Sequence, residues 1–371
     1  MSDRNRQVLF EILQKDGNNR CADCHTTEHV DWASCNLGIF LCQDCAGIHR
    51  SLGVDISRVK SIKLDYWDDD LVKKMAEAGN ENVNKYYEQH LPKYYRRPSK
   101  SDKELLRVQF IKAKYERKEF VYPDKQAPYS ANKKEGLLMK KGKDRKDFFP
   151  RNFVVNSLDN SIQYYNKTQL IESIPLDDVN VVLVSDKARE KQNCFQISYP
   201  KGKSTRHIFV SCEDPKEAVE WYTVIRSAKW DRRRLAFPAM SEDELAKDLT
   251  TDFGCEGWLN KRGPNMEPYK RRWFTLDRRK LMYHSEPLAA IPKGEMYIGY
   301  KDVGYSVENN NTRGKGDPLE FLLKTPDRDY FLKAETSEDK DRWIDVLTSI
   351  ISTQPSQADI KLYTGMVRSG R

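Results

Sequence analysis

The 371-residue sequence contains no apolar run near the ~18 residues of a membrane span. Its opening residues, Met1-Ser2-Asp3-Arg4-Asn5-Arg6, hold neither an apolar signal region nor a glycine for myristoylation. Any membrane contact is therefore expected to be peripheral. A strong charge imbalance is missing too: 64 Lys+Arg stand against 56 Asp+Glu, a formal net charge of +8. An excess this moderate matters through its placement. What the sequence does hold is core material, with 38% hydrophobic residues, 14 Phe, 19 Tyr and 7 Trp, which excludes a disordered chain. At roughly 150 residues per domain, the length suggests two or three domains. Eight cysteines without a secretory signal favour metal binding over a disulfide framework.

The first 120 residues read as mostly helical. Val8, Leu9, Ile12 and Leu13 have helical spacing, stopped by Asp16-Gly17-Asn18. Another helix is expected from Asp68 to near Gly79, and a third up to Leu91 before Pro92. Ser101-x-x-Glu104 reads as a capping box ahead of Leu105, Val108, Ile111 and Tyr115. Beyond residue 135 the chain repeats itself. Glu135-Gly136-Leu137-Leu138-Met139-Lys140-Lys141-Gly142 matches Glu256-Gly257-Trp258-Leu259-Asn260-Lys261-Arg262-Gly263 at an offset of 121. Arg151-Asn152-Phe153-Val154-Val155 matches Arg272-Trp273-Phe274-Thr275-Leu276 at the same offset. Each copy ends in a helix with tryptophan at i, i+4, i+7 spacing: Trp221, Ile225, Ala228 and Trp343, Leu347, Ile350. The first of these helices has Pro215 near its start, and Thr336 or Ser337 caps the second. Two copies of a strands-then-helix domain follow from this pattern.

Cys21-x2-Cys24 and Cys42-x2-Cys45, 17 residues apart, fit a four-cysteine zinc site. Four thiolates leave no open coordination position, so one structural zinc ion is expected and the metal does no chemistry. Arg50 lies five residues past the last ligand, on backbone the metal would hold rigid. A planar, permanently charged guanidinium can stabilise charge on a transferred phosphoryl group, although composition and spacing alone favour an ordinary surface arginine.

The wider sequence resembles the zinc-finger domain of Arf GTPase-activating proteins. The likeness rests on the cysteine spacing, Asp31-Trp32-Ala33-Ser34, Asn36-Leu37-Gly38-Ile39-Phe40, Gly47-Ile48-His49-Arg50-Ser51-Leu52-Gly53, Ile56-Ser57-Arg58-Val59-Lys60-Ser61 and Lys112-Ala113-Lys114-Tyr115-Glu116. It implies that Arg50 promotes GTP hydrolysis on a GTP-bound Arf-family GTPase, as an activator rather than a complete enzyme. His25 and Val30 replace the glycine and proline common in that family, and Asp55 a common histidine.

In the second repeat, adjacent strands would aim Lys261, Lys270 and Arg272 into one pocket rimmed by the intervening loop, an arrangement suited to a polyphosphate. The same residues also suit a solvated basic face. The pattern and the closing tryptophan helix resemble pleckstrin homology (PH) domains that bind 3-phosphorylated inositides, which implies headgroup contacts from Lys261, Lys270, Arg272 and Tyr283. In the first repeat Lys140, Arg151 and Tyr164 align, but Phe149 stands in place of Lys270. Lys141, Lys143, Arg145 and Lys146 are expected to compensate in bulk charge, and Phe148 and Phe149 to be free for the lipid interface.

The expected fold is thus multidomain α+β. Residues 1–125 form a helical zinc-finger domain and 126–134 a linker. A PH-type β-sandwich or barrel follows over 135–232, a linker over 233–253, a second PH-type domain over 254–353 and a polar tail over 354–371. The order resembles the dual-PH Arf GAPs of the centaurin-alpha group. That implies cytoplasmic localisation and recruitment to the plasma membrane by phosphatidylinositol 3,4,5-trisphosphate on phosphoinositide 3-kinase signalling, and leaves a nuclear pool open. Two tethered lipid sites would raise avidity ~10²–10⁴-fold if both faced one bilayer. A phosphoinositide-binding adaptor with little GAP activity is the alternative. Segments 140–151 and 261–272 each carry a net +4, which together equals the whole excess. That placement favours anionic membrane surfaces and inositol polyphosphate headgroups over nucleic acid.

Overall fold

Segments with helical spacing and segments with alternating burial come in separate blocks along the chain, and the architecture follows that division. The computed structural model describes residues 2–184, 191–263, 267–309 and 317–368. The chain divides into two compact units. One comprises Met1–Lys134 and Glu213–Lys247, the other Glu135–Cys212 and Asp248–Arg371.

In the first unit, α1 (Ser2–Leu13) precedes the zinc-finger region of β1 (Trp32–Ser34), β2 (Ile39–Leu41), α2 (Gln43–Ser51) and β3 (Val59–Ser61). The strands form an antiparallel sheet of order β2-β1-β3. Helices α3 (Asp69–Glu77), α4 (Gly79–Tyr87) and α5 (Glu104–Ile111) follow, and a π-helical turn over Lys112–Glu116 extends α5. Asp68 caps α3 by accepting from Leu71 N–H, as expected from its place before the apolar run. The capping box at Ser101 does not form: α5 starts after Lys103, which makes no side-chain cap. Asp102 has taken the turn instead, accepting from Ser99 N–H at 2.6 Å and pairing with Arg96 at 2.5 Å. Helix α6 (Pro215–Ala236) belongs to this unit, where its Arg226 Nε donates to the Tyr94 carbonyl at 2.8 Å. Helix α7 (Glu242–Lys247) lies in the segment expected to be linker, and Ser241 and Glu244 box its start.

The second unit holds two sheets of seven strands among the described residues. One contains β4 (Lys133–Lys141, whose first two residues fall in the other unit), β5 (Phe148–Asn156), β6 (Ser161–Asn166), β7 (Gln169–Pro175), β8 (Asn180–Leu183), β9 (Cys194–Lys201) and β10 (Ser204–Ser211). Its order is β7-β6-β5-β4-β10-β9-β8. The other contains β11 (Cys255–Arg262), β12 (Tyr269–Asp277), β13 (Lys280–His284), β14 (Gly294–Tyr297), β15 (Ser306–Asn309), β16 (Glu320–Lys324) and β17 (Asp329–Lys333), with the corresponding order β14-β13-β12-β11-β17-β16-β15. Here α8 (Ser337–Ser352), capped by Thr336, buries Trp343, Leu347 and Ile351 against Leu259, Phe274, Leu276, Phe321 and Leu332. The expected polar tail is α9 (Gln357–Arg368), which buries Met366 and sets Tyr363 against Tyr297. Ser356 and Asp359 form its capping box.

In the first unit, Asp23 sits between two zinc-ligand positions and is fully buried. It meets His49 Nε2 at 3.0 Å, Lys114 Nζ at 3.0 Å and Tyr115 Oη at 3.1 Å. Burial pushes its carboxyl up, yet Lys114 and the hydrogen bond from His49 outweigh that and hold it well below the usual carboxylate range. Lys114 also pairs with Glu88 at 2.8 Å. Replacing Lys114 by Met removes the ammonium that Asp23 and Glu88 share, leaving Asp23 on His49 and Tyr115 and Glu88 on Arg97, so it should cost on the order of 3 kcal/mol of stability. Urea unfolding of the variant against the parent chain measures this directly.

Candidate functional sites

Cys42 stands at the residue before α2 and Cys45 lies in its first turn, while Cys21 and Cys24 sit on the loop before β1. All four thiols are buried, and their Sγ atoms lie within 4.8 Å of one another. A tetrahedral zinc with Zn–S bonds of about 2.3 Å requires sulfur separations near 3.8 Å, so this donor set fits the metal. Cys24 and Cys42 sulfurs already stand 3.6 Å apart. His25, next to the ligands, has φ 56, a left-handed backbone that explains why glycine suits this position.

Arg50 lies at the other end of α2 and is exposed. Its guanidinium stacks over the Trp32 ring at 4.3 Å, and among the described residues no carboxylate pairs with it. His49, its neighbour, points inward, with Nδ1 at 2.8 Å from Ser57 Oγ and Nε2 on Asp23. Ser57 in turn donates to Ser34 Oγ at 2.8 Å. The helix bearing Arg50 is thus fixed at one end by the cysteines and at the other by this buried chain.

In the second sheet domain, strand register decides which cations share a face. Lys261 is opposite Lys270, Leu259 is opposite Arg272, and Phe274 is opposite Tyr283. Directly opposed residues and those two apart along a strand point the same way, so Lys261, Lys270, Arg272 and Tyr283 lie on one face. The Lys261 ammonium sits over the Tyr283 ring at 5.2 Å. Gly294 lets that ring lie close, because a Cβ there would come 2.3 Å from the Tyr283 hydroxyl. Arg271, on the opposite face, stacks on Trp258 and pairs with Glu335 at 2.6 Å. Residues 264–266 of the loop expected to rim the pocket lie outside the described residues.

In the first sheet domain, Lys140 reaches over the Tyr164 ring at 5.2 Å, and Arg151 shares the face of Phe153, opposite Tyr164. Two expectations are corrected here. Lys141 is buried and donates to the Arg145 carbonyl at 2.9 Å, so it adds no free loop charge. Phe148 packs inward on Cys194, Phe209 and Leu288 and is not free for a lipid interface. Phe149 is half-buried, 6.0 Å beneath the Arg151 guanidinium. Lys143, Arg145 and Lys146 remain exposed.

Sequence reasoning missed one cation in each pocket. Val210 pairs with Lys140 and Leu332 pairs with Lys261, so Arg206 and Arg328, four residues earlier on β10 and just before β17, fall on the pocket face. Burial, then Arg206 and Arg151, lower the Lys140 ammonium to about 8. Burial, then Arg328 and Arg272, likewise lower Lys261. The signal was present: Arg206 and Arg328 match at an offset of 122, in line with the rest of the repeat.

Comparison with known proteins identifies the domains that carry these sites. The family model of ArfGap, a GTPase activating protein for Arf, matches residues 6–124, and the PH domain model matches 132–229 and 253–352. A mouse relative, Arf-GAP with dual PH domain-containing protein 2, is 36% identical over 95% of this chain and 94% of its own length. Its human counterpart is 35% identical over 100% of this chain and 98% of its own. Mouse stromal membrane-associated protein 1 is 40% identical over 36% of this chain and 29% of its own.

Two outcomes are expected. Chelation should release one zinc per chain and melt α2, read by metal analysis and circular dichroism, because the four thiolates would lose their shared counter-charge. A polyanion binds the charged form of Lys140. As pH rises through about 8 that form is lost, so first-pocket affinity should fall roughly tenfold or more between pH 7 and 9.5. Calorimetric titration with an inositol polyphosphate over that range checks it.

Proposed function

The chain belongs to the Arf GTPase-activating proteins with two PH domains, and from that membership we propose that it accelerates GTP hydrolysis by a GTP-bound Arf-family GTPase at a phosphoinositide-bearing membrane. The GTPase supplies the nucleotide site and this chain supplies Arg50. The observation that carries the reading is the presentation of Arg50: exposed, oriented on Trp32, and rooted in a helix anchored at both ends. A guanidinium held this way can meet charge developing on a transferred phosphoryl group without first breaking an ion pair. Val54, 66% exposed and four residues beyond Arg50, offers apolar surface for the partner. Zinc, when bound by the four cysteines, holds the fold of this region and takes no part in the reaction.

The two sheet domains bind the membrane in this reading. Two lysines whose ionisation is depressed by burial and by the arginines beside them await an anion, and the trisphosphate headgroup of phosphatidylinositol 3,4,5-trisphosphate supplies several phosphates at that scale. We place the protein in the cytoplasm, drawn to the plasma membrane when phosphoinositide 3-kinase makes that lipid.

The test is Arf-GTP hydrolysis on vesicles with and without the trisphosphate lipid. Wild type should be stimulated by the lipid, and Arg50→Lys should lose about 10³-fold or more in rate at unchanged zinc content. Arg151→Cys combined with Arg272→Cys should abolish the lipid effect alone. Full activity in Arg50→Lys would leave the chain a lipid-binding adaptor.

A further inference from the structure

The segment joining β13 to β14 in the second sheet domain lies against the first pocket. Glu286 stands 3.8 Å from the buried Lys141 ammonium, at the root of the β4–β5 loop. Leu288, 2% exposed, packs with Cys194, Phe209 and Phe148, and Phe148 begins β5. The Ala290 carbonyl accepts from Arg206 Nη1 at 3.0 Å and from His207 N–H at 2.9 Å. Further along, Glu295 accepts from Ser204 Oγ at 2.7 Å and Thr205 Oγ1 at 2.8 Å, and Lys280 Nζ donates to Thr205 Oγ1 at 3.0 Å. Together these contacts hold the start of β10, where Arg206 sits, and both flanks of the β4–β5 loop.

The first pocket lacks the cation that Lys270 gives the second, because Phe149 occupies that place. Arg206 lies on the face of Lys140 and Tyr164, and its guanidinium is fixed by a carbonyl of the other sheet domain. We propose that the first headgroup pocket is a two-domain structure, in which segment 286–290 positions Arg206 and the β4–β5 loop and Arg206 replaces the missing phosphate contact. The inference rests on the headgroup reading above. Of the cations near Lys140, Arg206 depresses its ionisation most, as expected for a charge facing the same space. The second pocket needs no such brace, because Arg328 is seated on the Tyr330 ring of its own domain at 4.3 Å.

The full chain carrying Arg272→Ala isolates the first pocket, and the probe is inositol 1,3,4,5-tetrakisphosphate titrated by calorimetry. Added to that parent, Arg206→Ala and Leu288→Ala should each weaken binding about tenfold, and Leu288→Met should restore it. In the reciprocal parent, Arg151→Ala, the Leu288→Ala change should leave second-pocket affinity within about twofold, which separates loss of the brace from misfolding. First-pocket affinity within about twofold of the parent in either variant would overturn the proposal, as would an equal loss in both parents. No binding at all by the Arg272→Ala parent would instead overturn the headgroup reading of this pocket, and the brace with it.

Discussion

The Asp23 carboxylate, shut away from water, meets His49, Lys114 and Tyr115 at 3.0 to 3.1 Å and so ties together chain segments up to 92 positions apart. A lone buried carboxylate would be expelled or neutralised; with an ammonium and two further donors it becomes a fixed node. Because Asp23 lies between Cys21 and Cys24, the node and the thiol cluster share one loop. Helix α2 enters at Cys42 and Cys45 and leaves past His49, so it is gripped by both. Arg50 inherits its position from that grip, and Trp32 supplies the last orienting contact. A side chain with this much rotamer freedom would otherwise sample many directions, and anchoring it beforehand is how a fold contributes to an oriented encounter.

The sheets solve the same problem by alternation. Period-two geometry sends Lys270 and Arg272 to one face while Arg271, between them, goes to the other and is absorbed by Trp258 and Glu335. Three consecutive basic residues are therefore two pocket cations and one surface ion pair. In the first copy the loop charge divides differently: Lys141 turns inward and Lys143, Arg145 and Lys146 stay exposed. A count of basic residues per segment treats these as equal, and strand register does not.

Much of this was legible in the residues and some was not. Cysteine spacing and the tandem repeat are local or periodic signals, and the structure gathers the four sulfurs and gives the two copies sheets of corresponding strand order. Capping chemistry was less transparent. Ser101-x-x-Glu104, Ser241-x-x-Glu244 and Ser356-x-x-Asp359 share one pattern, and only the last two cap helices. At the first, Asp102 forms a competing turn with Ser99 and an ion pair with Arg96, and long-range pairing of that kind leaves no trace in the spacing. Phe148 failed for the same reason, since its partner Leu288 belongs to the other repeat. Arg206 and Arg328 match in the repeat, but their place on the pocket face follows only from β10 and β17 flanking β4 and β11.

A net charge of +8 spread over 371 residues exerts little force anywhere. Its effect depends on how many cations are denied both water and a counter-ion. Lys140 comes near that condition: it is 9% exposed, among the described residues its ammonium donates only to the Lys141 carbonyl, and the effect of Arg206 and Arg151 outweighs that of Glu172. Folding keeps such mutually repelling cations together because the hydrophobic sheet beneath them fixes their Cα positions regardless. The repulsion is then relieved when an anion enters, so the cost borne in the free protein returns as affinity for multiply charged ligands. A ligand with one phosphate relieves one contact and one with several relieves them all, which makes the pocket selective for charge density before any specific hydrogen bond is counted. The same reasoning explains why the brace on Arg206 matters. A cation free to swing into solvent would escape the repulsion and weaken the selectivity, and one held by a carbonyl cannot.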